Sequence, residues 1–431
     1  MMLGIYKFGM RAGERVLRKT LLKRQRAGKE SVERLDERQG IASLKRPQGS
    51  VIWIHAASVG EAQSALILVH TLLNAHKGVN ILVTTGTLTS AKLMENNLPK
   101  GAFHQFYPVD NPNWVECFLD HWAPDFILWM ESELWPNMLS SIRDREIPAI
   151  LVNARMSPKS YKRWSFFKIS ANHLLRCFSH ILCQTENDAA FYYKLGARNL
   201  VVTDNLKYSA APLPAHEENL KTINAVLENR PRWVYASTHA GEELIAARIH
   251  AQLKTTIPEL LTIIVPRHPN RRDDIARDLK NQALNVTFRG EDETMPQDST
   301  DIYVADTMGE LGLFYRACPI TCIGRSLSDD GGGGHNPIEA AQLNCAVLHG
   351  PNIQNLQEIF DQMNGAGAAL RVSNEAELAD ALHRLLSDEA LCKKNQQTAF
   401  DFAKKKEKVL DTVLDILQPY LENLNVSREA S

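Results

Sequence analysis

The chain has 431 residues, of which 44% are hydrophobic and 23% charged, and its net charge at pH 7 is -1. This length predicts two or three domains with ample core, and the balanced charge excludes a strong overall field for binding nucleic acid. No stretch of about 18 uncharged apolar residues occurs, which excludes an ordinary membrane-spanning helix.

Residues 1–29 form a basic amphipathic segment. They contain nine Lys or Arg residues and a single acid, Glu14, with apolar residues interleaved. The segment lacks the continuous apolar core and the cleavage site of a signal peptide. Because such a segment can lie on an anionic leaflet, we expect residues 1–30 to associate with a membrane surface. The alternative is a solvated helix that packs on the first domain.

From residue 50 onward, short β-rich runs alternate with helical stretches. In the first half the runs are SVIWIHA (50–56), VNILVTT (79–85), DFILWM (125–130), PAILVNA (148–154), HILCQ (180–184) and NLVVTDN (199–205). In the second half they are RWVYAST (232–238), LLTIIVPRH (260–268), NVTFRG (285–290), DIYVAD (301–306), PITCIG (319–324) and CAVLHG (345–350). Apolar runs of this length, separated by helices, predict parallel sheets whose ligands bind beyond the carboxyl ends of the strands. We therefore predict an α/β protein with two doubly wound, Rossmann-like domains that face a central cleft.

The seven cysteines lie mostly in apolar runs, which favours reduced, buried thiols in a cytoplasmic protein. Cys318 and Cys322 are four residues apart, but no second cysteine pair follows at zinc spacing. We therefore expect no zinc site there.

The turn in IHAASVGEAQS (54–64) leads from a strand into a helix. Ser58 and Glu61 have the spacing of a capping box, in which both side chains satisfy free amides at a helix start. VYASTHAGE (234–242) aligns with WIHAASVGE (53–61) but lacks the Ser-x-x-Glu spacing, so the turn does not need the box. We predict that Glu61, freed from capping, is a catalytic base, held ionised but less basic by the helix start. Gly60 is expected to let a substrate come close.

Two further stretches of the first half carry candidate side chains. WMESELWPNML (129–139) places Glu131 and Glu133 beside Trp129 and Trp135, which predicts carboxylates for sugar hydroxyls and aromatic faces for stacking. The alternative is a solvated loop with tryptophans in the core. In DNLKY (204–208), Lys207 is a candidate to reach the transferring group, although a single lysine is more often solvated.

NARMSPKSYKRW (153–164) is a basic stretch. It is suited to a phosphorylated or otherwise anionic acceptor through Arg155, Lys159, Lys162 and Arg163.

Strand-to-helix turns of the second half suit a phosphate. Ser237 and Thr238 lie at a helix start, where exposed amides and the helix dipole favour an anion, although ordinary capping would use the same residues. In VPRHPNR (265–271), Arg267 and His268 follow a strand, and the planar fork of Arg267 suits phosphate or carboxylate. The alternative is a surface arginine.

Two other turns of this half suit a nucleotide. Residues 308–310 (Met-Gly-Glu) offer backbone groups and a carboxylate, and the glycines 331–334 permit positive φ and close approach to a ligand. Asn336 is a candidate N-cap with Pro337 at the first helical position, and Glu339 is suited to accept two ribose hydroxyls. The chain has neither a P-loop motif nor G-x-G-x-x-G after a first strand, which argues against P-loop NTPases and nicotinamide enzymes.

The stretches WIHAASVGE, TTGT, ESELWPN, NARMS, TDNLK, STHAGEE, VPRHPNR, MGEL and GGHNPIEAA, taken together and in this order, resemble one family. It is the lipid A-specific 3-deoxy-D-manno-octulosonic acid (Kdo) transferases, and the likeness spans roughly residues 31–350. The resemblance implies a GT-B fold, CMP-Kdo as donor, a lipid A precursor (lipid IVA) as acceptor and inversion at the anomeric carbon. It implies no metal, no other cofactor and no nucleic acid partner.

The resemblance also assigns residues. The family's base corresponds to Glu61 and its transition-state partners to Glu131 and Lys207. Its CMP contacts correspond to Pro266, Arg267, His268, Met308, Gly309, Glu310, Asn336, Pro337, Ile338 and Glu339, to which the turn chemistry adds Ser237 and Thr238. The implied organisation is a membrane-association segment (1–30), an acceptor-binding domain (31–208), a linker (209–216), a CMP-sugar-binding domain (217–395) and a C-terminal helix and tail (396–431).

The chain departs from the family in two places. Arg325 stands where the family usually has glycine, within a glycine run that is a residue or two longer. The amino terminus lacks the usual apolar anchor, which the basic segment would replace on the cytoplasmic face of the bacterial inner membrane. Three alternatives stay open: a GT-B transferase that uses a UDP-sugar, a non-catalytic nucleotide-binding membrane-peripheral protein, and a metal hydrolase based on His239, Glu242 and Glu243.

Overall fold

The computed structural model describes residues 2–76, 78–228, 230–328 and 330–429, with side chains described as far as residue 424. The chain forms two compact units. The N-terminal unit comprises the described residues up to 210 together with those from 407 onward, and the C-terminal unit comprises 211–406.

The described part of the N-terminal unit is built on a parallel sheet of seven strands in the order β3-β2-β1-β4-β5-β6-β7. The strands are β1 (Val51–His55), β2 (Asn80–Thr85), β3 (Ala102–Phe106), β4 (Phe126–Met130), β5 (Ala149–Ala154), β6 (His180–Cys183) and β7 (Leu200–Val202). In the centre of the sheet, Trp53 of β1 pairs with Leu82 on one side and Ile127 on the other. β1 and β4 are buried throughout, as expected for a sheet covered on both faces.

Helices cover both faces of this sheet. They are α1 (Met2–Ala12), α2 (Glu14–Arg26), α3 (Val59–Ala75), α4 (Leu88–Asn97), α5 (Pro112–Trp122), α6 (Pro136–Asp144), α7 (Pro158–Ser165), α8 (Lys168–Leu175) and α9 (Glu186–Lys194). The core on one face includes side chains of α5, α6, α8 and α9, and the core on the other includes side chains of α3. A short 3-10 helix (Leu206–Ser209) closes this part of the chain.

The C-terminal unit repeats the design. Its described residues form a parallel sheet of seven strands in the order β10-β11-β9-β8-β12-β13-β14. The strands are β8 (Arg232–Thr238), β9 (Leu261–Pro266), β10 (Val286–Phe288), β11 (Ile302–Val304), β12 (Ile320–Ile323), β13 (Ala346–His349) and β14 (Leu370–Arg371). The helices are α10 (Glu217–Leu227), α11 (Glu242–Leu253), α12 (Arg272–Leu279), α13 (Leu311–Ala317), α14 (Ile338–Gln342), α15 (Gln357–Gly365) and α16 (Glu375–Ser387).

The last helix, α17 (Glu389–Glu429), has residues in both units. Its residues as far as 406 belong to the C-terminal unit. Beyond them it presents an apolar stripe at helical spacing, which joins the core that contains α3 in the N-terminal unit: Val409, Val413, Leu417, Leu421 and Leu424. The chain thus returns to its first unit after completing its second.

The predicted α/β class with two parallel Rossmann-like sheets is confirmed, and each predicted β-rich run contains a strand. Two short strands, β3 and β14, were not predicted. β3 has the sequence AFHQF, which carries polar His104 and Gln105 and no β-branched residue, so its pattern does not read as a buried strand. β14 has only two residues.

No described helix is both long and apolar enough to cross a membrane. All seven cysteines are free thiols, and six of them are buried. Burial raises the pKa of Cys177 and Cys318 to about 12, so these thiols stay protonated near neutrality.

Gly40 provides a test of the packing around α5. Its φ is +80°, and an added Cβ would lie 2.0 Å from the Trp114 carbonyl oxygen. We expect Gly40→Ala to lower the free energy of unfolding by more than about 2 kcal/mol, since it adds a backbone clash to the strain of positive φ. Gly28→Ala is the matched control, because Gly28 has φ +68° and no atom within 4 Å of an added Cβ. Its expected cost is about 1 kcal/mol.

Chemical denaturation followed by tryptophan fluorescence measures both variants, since six of the seven tryptophans lie in the N-terminal unit. Equal losses in the two variants would show that the Trp114 contact is not restrictive.

Candidate functional site

The start of α3 uses both side chains of the proposed capping pair. The Ser58 hydroxyl accepts a hydrogen bond from the Glu61 backbone N–H at 3.3 Å. The Glu61 carboxylate accepts from the Ala57 N–H at 2.8 Å and from the Ser58 hydroxyl at 2.9 Å. The prediction that Glu61 is freed from capping is therefore wrong. Each carboxylate oxygen still has a further lone pair for a substrate proton.

The electrostatics of Glu61 also differ from the expectation. Burial, followed by repulsion from Glu131, raises the pKa of Glu61 to about 7, although the Ala57 and Ser58 hydrogen bonds act to lower it. The expected loss of basicity at the helix start is therefore wrong in direction, because desolvation outweighs the helix end. A carboxylate that titrates near neutrality is suited to general-base catalysis.

Glu131 and Lys207 lie beside this turn. Glu131 directly follows β4 with φ +56°, and its Oε1 lies 3.9 Å from Lys207 Nζ. Burial raises the pKa of Glu131, while Lys207 and Arg155 oppose that rise. An added Cβ on Gly60 would lie 3.1 Å from Lys207 Nζ, so the glycine makes room for the ammonium group. The structure thus brings the three predicted catalytic side chains together.

Glu133 and its tryptophans form the adjoining loop. The Trp135 indole N–H donates to the Glu133 carboxylate at 2.6 Å, and the Trp129 indole N–H donates to the Glu133 carbonyl at 2.6 Å. Trp129 is fully buried, so the prediction that it stacks on a sugar is wrong. Trp135 is partly buried against the core.

The end of β1 is packed among aromatic rings. The His55 ring centroid lies 4.1 Å from that of Tyr107 and 4.3 Å from that of Trp129. Burial and then the charge of Arg38 lower the pKa of His55 to about 3, so this histidine is neutral and structural. The close packing of these rings holds the turn that carries Glu61 in a fixed position.

The basic stretch of this unit is exposed. Arg155 follows β5, and Lys159, Lys162 and Arg163 belong to α7, all with solvent-accessible side chains. Arg155 is close enough to influence the pKa of Glu131, which places it beside the carboxylate cluster.

In the C-terminal unit, β8 and β9 end side by side. Thr238 pairs with Pro266, and the Arg267 N–H donates to the Thr238 carbonyl at 3.1 Å. The Thr238 hydroxyl is buried and donates to Glu243 at 2.8 Å. Neighbouring Ser237 is buried with φ +60°. Of the predicted phosphate contacts at this edge, Arg267 and His268 are exposed.

Glu242 joins two loops at this edge. Its buried carboxylate accepts from the backbone N–H groups of His239 at 2.9 Å, Arg325 at 2.7 Å and Leu327 at 3.2 Å, and from the Tyr235 hydroxyl at 3.1 Å. A metal hydrolase would need this carboxylate for a metal. Throughout the described ranges no group of three or more His, Cys, Asp or Glu side chains could hold a metal ion.

Arg325 has φ +59°, in the left-handed region that favours glycine. A glycine would adopt this conformation without the strain that a side chain adds. Here the Glu242 carboxylate holds the Arg325 backbone through its N–H.

In the segment 308–310, the first two residues border open space, whereas the Glu310 carboxylate is hydrogen-bonded within the protein. Met308 is exposed, and Gly309 has φ +82° with open space around it. The Glu310 carboxylate accepts two hydrogen bonds from buried Arg289, at 2.7 and 2.8 Å. Burial acts to raise the pKa of Glu310, but the Arg289 and Thr307 hydrogen bonds lower it overall. No local sequence pattern singles out Arg289.

The four glycines 331–334 all have positive φ, as expected. However, the run packs closely on the protein itself. An added Cβ would lie 2.4 Å from Asn352 Cβ at Gly332 and 2.1 Å from Asn355 Nδ2 at Gly333. The glycines therefore fix the path of the loop into the residues that follow.

Those residues form a connected polar group. Asn336 Oδ1 accepts from the Ile338 N–H at 3.1 Å, and Asn336 Nδ2 donates to Glu339 at 3.2 Å. Helix α14 begins at Ile338 with Pro337 as its N-cap, one position later than expected. Burial raises the pKa of Glu339, against the influence of Asn336 and then Arg267. Asn336 and Arg267 thus both act on the Glu339 carboxylate.

Comparison with known proteins agrees with this chemistry. Residues 33–210 match the family described as 3-Deoxy-D-manno-octulosonic-acid transferase (kdotransferase). A 3-deoxy-D-manno-octulosonic acid transferase of Rickettsia bellii is 34% identical over 91% of this chain and 93% of its own length. The chain belongs to the Kdo transferase family. It is therefore one of the Kdo-transferring glycosyltransferases, which act in lipopolysaccharide biosynthesis, and the resemblance found in its motifs is confirmed.

Solved structures show likeness of fold. A putative UDP-N-acetylglucosamine 2-epimerase from Listeria monocytogenes has a TM-score of 0.55 at 12% identity, covering 87% of this Kdo transferase and 98% of that chain. The C-terminal CMP-Kdo binding domain of WaaA from Acinetobacter baumannii is 31% identical, covering 45% of this chain and 99% of that chain, with a TM-score of 0.40. Together with the two parallel sheets, the first likeness confirms the expected GT-B class.

The raised pKa of Glu61 provides a test. We expect Glu131→Gln to lower the pKa of Glu61, because the nearest repelling carboxylate disappears and Lys207 loses its anionic partner. Glu133→Gln is the matched control with a smaller effect, since Glu133 contributes least among the groups that act on Glu61. Carboxyl ¹³C NMR titration of selectively labelled protein measures both. An unchanged Glu61 midpoint in Glu131→Gln would contradict the coupling.

Proposed function

We propose that this chain transfers Kdo from CMP-Kdo to a hydroxyl of the lipid A precursor lipid IVA, with inversion at the anomeric carbon and with Glu61 as general base. The observation that carries the base assignment is the Glu61 carboxylate, whose pKa is raised to about 7 beside Glu131 and Lys207. Members of the family share the overall reaction, and the acceptor and the roles of individual residues are our assignment.

In the proposed step, an acceptor hydroxyl oxygen forms the new bond to the anomeric carbon of Kdo. The hydroxyl proton passes to Glu61, and the bond between the anomeric carbon and the phosphate oxygen breaks with its electron pair leaving on CMP. Attack opposite to the departing CMP inverts the anomeric centre. A single carboxylate base is sufficient for this displacement.

Glu131 assists this proton transfer through its charge. While Glu61 is ionised, the two carboxylates repel each other, and the repulsion disappears when Glu61 takes the proton. Proton transfer is therefore favoured in the transition state rather than in the ground state, as differential stabilisation requires. The Lys207 ammonium, 3.9 Å from Glu131, favours the ionised form of that carboxylate and opposes the rise in its pKa that burial causes.

We assign the donor to the C-terminal unit. The exposed Arg267 guanidinium makes no hydrogen bond or ion pair with any described residue and is suited to the nucleotide phosphate. Glu339 is suited to the ribose hydroxyls, and the backbone of 308–310 to the base. The remaining proposed CMP contacts are Ser237, Thr238, Pro266, His268, Asn336, Pro337 and Ile338.

We further propose that the chain is peripheral on the cytoplasmic face of the inner membrane. Helix α1 packs on α5 and α6, and the Asn111 side chain donates to the Met10 carbonyl at 2.8 Å. Its outward face leaves Phe8 75% exposed. Beyond α7, Phe166 is 76% and Ile169 89% exposed. α1 and α8 both pack on α6, and in this proposal these exposed apolar side chains form one surface.

Basic side chains accompany this apolar surface. Lys7 and Arg11 belong to α1, Lys162 and Arg163 to α7, and Lys168 to α8. Apolar side chains with flanking cations match the interface of an anionic bilayer, where burial and charge attraction add. The basic amino-terminal helix therefore packs on the first unit and, in this proposal, contributes its outward face to the membrane.

The base assignment predicts the kinetics of Glu61→Gln. We expect kcat to fall by about 10²-fold or more, because the glutamine keeps the shape but cannot accept the proton. In the parent chain, kcat/KM rises with pH through an acid limb near 7, since only ionised Glu61 is active. The variant lacks this limb. The measurement is product formation from CMP-Kdo and lipid IVA, quantified by mass spectrometry across pH.

Exposed Gln63, on the same helix, supplies the control variant Gln63→Ala, which keeps parental turnover and pH dependence. CMP affinity, measured by calorimetry, stays at the parental value in Glu61→Gln because the proposed CMP contacts lie in the other unit. Near-parental turnover in Glu61→Gln with normal CMP binding would eliminate Glu61 as the base.

The membrane assignment predicts weaker vesicle binding for the double variant Phe166→Ser, Ile169→Ser. Each side chain contributes about 1.5 kcal/mol or more when buried in the bilayer interface, about 3 kcal/mol together, so affinity for phosphatidylglycerol vesicles falls by about 100-fold or more. Sedimentation with vesicles measures the effect. Val226→Ser, at an exposed position of α10 in the other unit, is the control. Equal binding by the double variant and the control would contradict the assignment.

A further inference from the structure

Two histidines of the C-terminal unit face each other in a hydrogen-bonded series that ends on a carboxylate. His239 Nε2 lies 3.2 Å from His335 Nε2, and His239 Nδ1 lies 3.0 Å from the Asp330 carboxylate. Asp330 is itself fixed by the Ser328 hydroxyl at 2.7 Å and the Gly332 N–H at 3.1 Å. Neither histidine has a role in the proton transfer to Glu61.

The protons of this hydrogen-bonded series can be assigned by elimination. Hydrogen bonds from Ser328 and then Gly332 outweigh burial and lower the pKa of Asp330 to about 2, so the carboxylate is ionised and accepts from His239 Nδ1–H. Two nitrogens 3.2 Å apart need one hydrogen between them, because two lone pairs or two N–H groups would repel. In the neutral pair, His335 Nε2–H therefore donates to His239 Nε2.

This arrangement leaves one ring nitrogen open. His335 Nδ1 is then an acceptor, and no described residue forms a hydrogen bond with it. A further proton on the pair would go to this atom and would turn it into a donor. His335 directly precedes Asn336, which belongs to the proposed nucleotide site.

Without a ligand, the surroundings oppose that extra proton. Burial is the largest cause that lowers the pKa of His335, to about 4, followed by the charges of His239 and Arg267. Burial also lowers the pKa of His239, against the attraction of Asp330. The charged or titratable groups around the pair are Arg267, His268, Arg325, Asp330 and, through the His239 backbone N–H, Glu242. An anion near Arg267 would reverse this balance.

We propose that the His239–His335 pair takes up one proton when the nucleotide phosphate binds beside Arg267, and that protonated His335 Nδ1–H then serves as a donor to that phosphate. The proton comes from solvent. Asp330 stabilises the resulting charge from the other end of the hydrogen-bonded series. His239 and Asp330 are positioning residues, since they act through His335. This inference deepens the proposed function and rests on its assignment of CMP to the C-terminal unit.

The protonated pair has a consequence for the leaving group. A phosphate held by Arg267 alone meets one fixed cation, whereas the pair adds a second charge only when the anion is present. A preorganised donor of this kind stabilises the charge that develops as CMP departs. An uncharged ligand gains none of this stabilisation, because the pair takes up the proton only together with an anion.

Calorimetry of CMP binding to the full chain tests the proposal. Titrations in two buffers of different ionisation enthalpy measure the number of protons taken up on binding. They are carried out at pH 8, where CMP is fully ionised because the second pKa of its phosphate is about 6. We expect net uptake of up to one proton for CMP and none for cytidine, which lacks the phosphate. Between pH 7 and pH 9 we expect CMP affinity to fall by up to about tenfold per pH unit.

The variants His335→Gln and His239→Gln are expected to bind CMP more weakly, without proton uptake and with little pH dependence. His383→Gln, at a histidine of α16 outside the pair, is expected to match the parent chain. This proposal would be overturned if His335→Gln took up as many protons on binding CMP as the parent chain does, or if the parent chain bound CMP without taking up a proton. Either result would leave the proposed function standing. Absence of any CMP binding by the parent chain would refute both, and the parental titrations do not depend on whether a variant folds.

Discussion

In each unit, a buried carboxylate closes the turn from a central strand into the first crossover helix. Glu61 follows β1 and Glu242 follows β8, at matching positions of the two similar sequence stretches. Both accept a backbone N–H from the turn before the helix, from Ala57 in one unit and from His239 in the other. Burying a carboxylate is unfavourable unless hydrogen bonds compensate, so the bonds that each residue finds decide its chemistry.

The two carboxylates differ in how completely they are satisfied. Glu242 is 0% exposed and joins three backbone N–H groups and one hydroxyl, which makes it a structural link between loops. Glu61 is 8% exposed, has two hydrogen bonds and lies near Glu131, so its ionisation is only partly compensated. The same structural device thus yields a fixed link in one unit and a group poised to take a proton in the other.

The sequence was informative where the signal is local or periodic. Apolar runs located twelve of the fourteen described strands, and the combined motifs identified the family. It failed where tertiary surroundings decide the outcome. Burial and Glu131 reversed the expected effect of the helix end on Glu61, and the core enclosed Trp129. Arg289 was missed because its partner Glu310 lies 21 positions further along the chain, so no local pattern marks the pair.

Helix α17 bears on the order in which the chain completes its folding. The apolar stripe from Val409 to Leu424 covers one face of the N-terminal sheet, yet it is synthesised after the whole C-terminal unit. On the ribosome, the second unit has all of its residues before the first unit has its last helix. The usual N-to-C order of domain completion is therefore inverted. Until α17 is synthesised, the apolar surface that its stripe covers in the first unit stays open to solvent.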